Sequence, residues 1–97
     1  MPDQGHAPFV VRAHGEIDLD AAPRLRRELT HALDAHREVL LDLSRVTFMD
    51  CSGLGALVRA RNQTDRTGSR LVLRGVSHPV ARLLRLTGLT GRLTPTP

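Results

Sequence analysis

Apolar and polar residues alternate with a period that changes several times along the chain, and each change marks an element. Phe9 to Ala13 (FVVRA) is a short β-prone run that predicts a strand, followed by a turn at Gly15. Between Asp20 and Ala35, the apolar residues Ala22, Leu25, Leu29, Ala32 and Leu33 fall on one helical stripe; Asp20 is placed to cap this helix and Pro23 is tolerated in its first turn. Glu38 to Leu43 (EVLLDL) is a nearly continuous apolar run, the pattern of a strand covered on both faces, and Val39 to Leu43 is the predicted central strand. Leu54, Leu57, Val58 and Arg61 follow at i, i+3, i+4 and i+7, which predicts an amphipathic helix from Ser52 to about Arg66, closed by the turn Thr67-Gly68-Ser69. Arg70 to Arg74 (RLVLR) predicts another strand. Ser77 is placed to cap a third helix with Pro79 in its first turn, Val80, Leu83 and Leu84 inward and Gly88 as its stop, and Leu89 to Leu93 predicts a short last strand.

Strands that alternate with helices imply right-handed crossovers and a largely parallel sheet. The expected class is therefore α/β: a mostly parallel four-stranded sheet with three helices, folded as one unit over residues 9–94. A flexible N-terminus is expected at 1–8 and a short tail at 95–97. So few helices should cover one face of the sheet well and the other poorly, leaving a face for a partner or for a second copy in a homodimer.

The 97 residues are enough for one marginally stable core. A single cysteine, Cys51, rules out an internal disulfide and a multi-cysteine metal site. No apolar run approaches the roughly 20 residues needed to cross a bilayer, and the N-terminus has no signal-peptide pattern, so a cytoplasmic location with no membrane partner is expected. The net charge of +4 comes entirely from arginine, scattered along the chain and unaccompanied by Trp or Tyr, which argues against direct nucleic-acid binding. The one tight cluster, Arg24, Arg26 and Arg27, reads as a solvated helix face. Catalytic signatures are missing: there is no GxSxG, HExxH, GxGxxG or Walker motif, and His31 and His36 are spaced wrongly for one helix face. Neither enzyme activity nor a cofactor nor a metal is expected.

The chemistry is concentrated in Phe48-Met49-Asp50-Cys51-Ser52-Gly53-Leu54-Gly55, where a strand gives way to a helix. Ser52 is suited to be the helix N-cap, with its hydroxyl fixed beside the carboxylate of Asp50, and small Gly53 lets another surface approach. Asp50, and Asp18 after its own strand, can alternatively be read as merely closing their turns by accepting backbone N–H groups. Phe48 and Met49 read as core or turn packing. Gly53 and Gly55, with Ala56 and Ala60, fit either helix-to-sheet packing or a smooth surface for a partner helix.

The run LLDLSRVTFMDCSGLGALV, Leu40 to Val58, resembles the signature of STAS domains of the bacterial anti-sigma factor antagonist type. Gly15-Glu16-Ile17-Asp18, followed by Ala21 and Ala22, resembles a second element of that family, and Thr87-Gly88-Leu89 resembles a third. Together they cover about residues 9 to 94. The resemblance implies that Ser52 is the residue phosphorylated by a partner kinase, that Asp18 and Asp50 are the flanking acids, and that Asp18, Asp50, Cys51, Ser52, Gly53, Leu54, Gly55, Ala56 and Arg59 form the partner-binding surface. The chain departs from the family pattern in having Cys51 in place of the usual serine, a basic charge, a short N-terminus (Pro2 to Pro8) and an end at Thr94-Pro95-Thr96-Pro97. On that pattern it would lack an extra first strand and a final helix.

The resemblance further implies partner switching. The unphosphorylated chain would bind an anti-sigma factor that is also a serine kinase, freeing a sigma factor; phosphorylation of Ser52 would release the kinase, and a phosphatase would reset the switch. A phosphate at the start of a helix is expected to meet free N–H groups there. A scaffold or sensor STAS domain acting by self-association or complex assembly, with Ser52 as a cap only, is the competing expectation.

Overall fold

The computed structural model describes residues 8–86 and the strand at 94–96. Its elements run β1 (Phe9–Ile17), α1 (Ala22–Ala35), β2 (Glu38–Met49), α2 (Cys51–Thr67), β3 (Arg70–Arg74), α3 (His78–Leu86) and β4 (Thr94–Thr96). The four strands form one parallel sheet in the order β1-β2-β3-β4. This is the α/β architecture and the element order that the hydrophobic pattern predicts. The first seven residues, the Gly88 stop and the Leu89 to Leu93 strand lie outside the described residues; the described last strand is Thr94–Thr96.

Strands taken in sequential order and joined by crossovers of one hand place their helices on one face of the sheet. The burial agrees: Val39, Leu41 and Leu43 of β2 are buried with the predicted α1 stripe, with Leu54 and Leu57 of α2, and with Val80 and Leu84 of α3 in one core cluster. The opposite face carries the register-matched row Val10, Leu40 and Val72, and beside it the row Arg12, Asp42 and Arg74. Leu40 and Asp42 are only half-buried, so β2 is covered on one face rather than two. The strand with an unbroken buried run is β3, where Leu71, Val72 and Leu73 are all buried.

Two strands are longer than the periodicity suggests. β1 continues past Gly15 to Ile17, because Gly15 adopts φ +75° where the register between β1 and β2 slips; the expected turn is a bulge inside a strand. β2 continues six residues beyond Leu43, and Ile17 pairs with Met49 at the end of both strands. The two helices that follow are bound by Gln63, a buried polar residue whose side-chain amide donates to the carboxylate of Asp34 at 2.8 Å and to the carbonyl of Thr30 at 3.1 Å.

Candidate functional site

The ends of β1 and β2 fix the site. The Asp50 N–H donates to the Ile17 carbonyl at 3.3 Å, so the chain leaving β2 stays held against the end of β1. Asp18 and Asp50 each directly follow one of the register partners Ile17 and Met49, which brings both acids to one edge of the sheet, the edge where α/β folds place their sites.

Each carboxylate organises the start of a helix. The Asp18 Oδ1 accepts the N–H groups of Asp20 and Ala21, both at 3.1 Å, and the Asp18 carbonyl accepts the Ala22 N–H at 2.8 Å. The expected cap, Asp20, does not fill that role: the N-cap position of α1 falls on Ala21, which makes no side-chain cap bond, and the acid two residues before Asp20 bridges the turn instead. At α2 the Asp50 Oδ1 accepts the N–H groups of Ser52 at 2.8 Å and Gly53 at 3.3 Å, and the Asp50 carbonyl accepts the Leu54 N–H at 3.0 Å. The cap is Asp50, not Ser52 as the sequence suggests. An aspartate just outside the helix reaches both orphan donors in extended geometry, whereas Ser52 already lies inside the first turn.

This leaves Ser52 half-buried, with a hydroxyl that has no hydrogen-bond partner among the described residues. Cys51 beside it is an exposed free thiol. Gly53 and Leu54 face inward: a Cβ on Gly53 would meet Met49 and Ile17, and Leu54 joins the core. Gly55 is the opposite case, since a Cβ there would have nothing within 4 Å. Ala56 is buried but borders a shallow cavity of about 170 Å³ that Ser52, Gly55 and Arg59 share with Leu19, Ala22, Pro23 and Arg26. Met49 is buried, but Phe48 is 52% exposed and Leu19 is 74% exposed, so two large apolar side chains stand in solvent, Leu19 next to Asp18 and Phe48 two residues before Asp50.

Sequence reasoning assigned Phe48 to packing and Arg26 to a solvated face, and gave Leu19 and Pro23 no site role. Leu19 carried a readable signal, an apolar residue between two acids in a turn. Arg26 carried none, because its place at the cavity depends on how α1 crosses α2.

Among the described residues, the site offers a hydroxyl and no hydrogen-bond partner to activate it. No group of His, Cys, Asp and Glu suited to a metal ion occurs among the described residues, and no helix among them is long and apolar enough to cross a membrane. A serine hydroxyl on a rigid turn, half open to solvent and unused by its own helix, is suited to receive a group delivered from outside.

Residues 2–96 match the STAS domain family. The chain belongs to that family. An anti-sigma-B factor antagonist of Staphylococcus aureus is 36% identical over 85 residues, a match that covers 84% of this chain and 76% of the relative. Among solved structures, this STAS chain resembles the anti-sigma factor antagonist SpoIIAA in its unphosphorylated form, with 21% identity and a TM-score of 0.73 over 91% of this chain and 77% of that one. The phosphorylated form of the Bacillus cell-fate determinant SpoIIAA is similar at 23% identity, with a TM-score of 0.71 over 91% of this chain and 81% of that one. At such identities these structures establish the fold alone. The STAS fold thus accounts for the one-sided parallel sheet.

Proposed function

We propose that this STAS domain is an anti-sigma factor antagonist that, unphosphorylated, binds an anti-sigma factor with serine-kinase activity and is switched off by phosphorylation of Ser52. The observation that carries this reading is the free Ser52 hydroxyl: Asp50 has taken over the capping bonds, so the serine is available for modification at the edge where both acids lie. The name of the staphylococcal relative supports it. The partner surface comprises Asp18, Asp50, Cys51, Ser52, Gly55 and Arg59, flanked by exposed Leu19 and Phe48, while buried Gly53, Leu54 and Ala56 shape it from beneath. A phosphatase resets the switch, and the protein works in the cytoplasm without catalysis or a cofactor of its own.

Release follows from charge. About two negative charges placed 5 to 6 Å from an acid on the partner cost about 1.5 kcal/mol at the dielectric of water and about 6 kcal/mol at an effective value of 20. That corresponds to a loss of about ten-fold to about 20,000-fold in affinity, without movement of the backbone.

The test is incubation with the anti-sigma factor kinase and ATP, peptide mass mapping, and calorimetry of the kinase against wild type, Ser52→Asp and the phosphoprotein. Modification at Ser52 and affinity falling in that order are expected. Modification at Ser44 or Thr47 with Ser52 untouched, or equal affinity for all three forms, overturns the reading and favours a scaffold role.

A further inference from the structure

We infer that Arg26 and Arg59 form a two-armed receptor for a phosphoryl group on Ser52, so that the modified side chain is held by the chain itself. The inference rests on the reading of Ser52 as the phosphoacceptor and adds how the phosphorylated state is stabilised. Its starting point is a shortage. Asp50 already occupies the Ser52 and Gly53 N–H groups, which an anion at the start of α2 would otherwise use, and its own charge stands two residues from the hydroxyl. A phosphate dianion there needs positive charge from elsewhere.

The cavity beside Ser52 supplies it from both walls. Arg26 comes from α1 and Arg59 from α2, and both border the same space of about 170 Å³ as the serine. Ser52, Gly55 and Arg59 lie at i, i+3 and i+7 along one face of α2, and long helical side chains lean toward the N-terminus, which directs Arg59 toward Ser52. Gly55, between them, leaves that path open, since a Cβ there would meet nothing within 4 Å. Neither arginine makes an ion pair among the described residues, whereas Arg24, Arg70 and Arg74 are paired with Glu28, Glu38 and Asp42. Guanidinium groups bind phosphate through two parallel charge-assisted bonds, and two of them facing one phosphate give selectivity for the dianion. Phosphorylation then turns an outward-facing groove, whose two arginines are unpaired among the described residues, into a closed internal pair, changing the shape the partner meets as well as its charge.

The experiment needs no kinase. The full chain is made with phosphoserine at position 52 by genetic incorporation, and its phosphate is titrated by ³¹P NMR in the folded state and in denaturant. A folded phosphate with an ionisation at least about half a unit below the denatured value, near pH 6, is expected. Arg26→Gln and Arg59→Gln should each reduce the shift, the double variant should abolish it, Arg59→Lys should retain part of it, and Arg24→Gln should leave it unchanged. Heat denaturation of the unmodified variants, all altered at exposed positions, confirms their folding. An unshifted phosphate, or a shift undiminished in the double variant, overturns the inference. If the arginine-dependent shift is present while the kinase leaves Ser52 unmodified, the receptor stands and the proposed switch falls.

Discussion

A Cβ on Gly53 would lie 2.8 Å from Cγ2 of Ile17, so α2 can begin against the end of β1 only because residue 53 has no side chain. The same atom would stand 2.6 Å from Cγ of Met49 and 2.9 Å from the Ile17 carbonyl oxygen. Met49 can rotate, but the backbone oxygen cannot. The glycine is therefore a condition for the contact that holds Asp50, and with it Ser52, at the edge beside Asp18.

Gly53→Ala is expected to destabilise the protein. Overpacking costs about 1–3 kcal/mol, which exceeds the gain in helix propensity of up to about 1 kcal/mol. Gly55→Ala, which meets nothing, should stabilise it by about 0.5–1 kcal/mol. Urea unfolding of the two variants gives the comparison, and an equal gain for both would contradict the packing.

The cap assignment separates Ser52 from Asp50. Ser52→Ala should change stability by less than about 0.5 kcal/mol, as for a surface substitution, whereas Asp50→Ala should cost about 0.5–2 kcal/mol through the loss of the cap. Equilibrium unfolding at neutral pH distinguishes these. A cost for Ser52→Ala equal to that for Asp50→Ala would return the cap to the serine.

Much of this arrangement was legible in the sequence, for reasons that differ by residue. The α1 stripe from Ala22 to Leu33 is buried as its period requires, since amphipathicity alone decides which side of a helix meets a sheet. The order of elements and the site at the end of β2 followed from the same patterning and from the resemblance of its motif. What could not be read was settled by contacts between segments distant in sequence. The bulge at Gly15 depends on the register with β2, the inward turn of Gln63 on Asp34 and Thr30 across the helix pair, and the place of Arg26 on the crossing of α1 and α2. The choice of Asp50 over Ser52 as cap was ambiguous locally because both are favourable cap residues, and the backbone bond from Asp50 to Ile17 decides it.

Gln63 ties the helices that carry the two walls of the cavity. Gln63→Leu should cost about 1–3 kcal/mol by removing both hydrogen bonds that the buried amide makes to Asp34 and Thr30, one of them to a carboxylate. Gln63→Glu should be worse at neutral pH, because it sets a second carboxylate against Asp34, and should recover as acid protonates the pair. Melting temperatures from neutral pH downward check this: the gap to wild type should narrow for Gln63→Glu and stay constant for Gln63→Leu.

On the bare face of the sheet, the N–H of Ser44 donates to Asp42 at 2.9 Å, and together with the Ser44 side chain and Arg74 it holds the Asp42 carboxyl below the ordinary carboxylate range. A carboxyl depressed in the folded state contributes stability above its unfolded value, and that contribution is lost as pH falls through the folded one. Asp42→Asn should therefore be less stable than wild type at neutral pH, with the difference vanishing only in strong acid. Parallel melting curves at pH 7 and in acid would show it, and a constant difference would contradict the assignment.

Because Asp50 carries the cap, residue 52 has no duty to the scaffold beyond fitting the first turn of α2. The consequence is evolutionary. If Ser52 is the switch proposed above, a lineage can exchange it for alanine or for an acid and alter control alone, since the fold that presents the residue does not select against the change. On the proposed role of Ser52, regulated, permanently active and permanently silent versions of the domain are single substitutions apart, and gene copies can move among them while their architecture stays fixed.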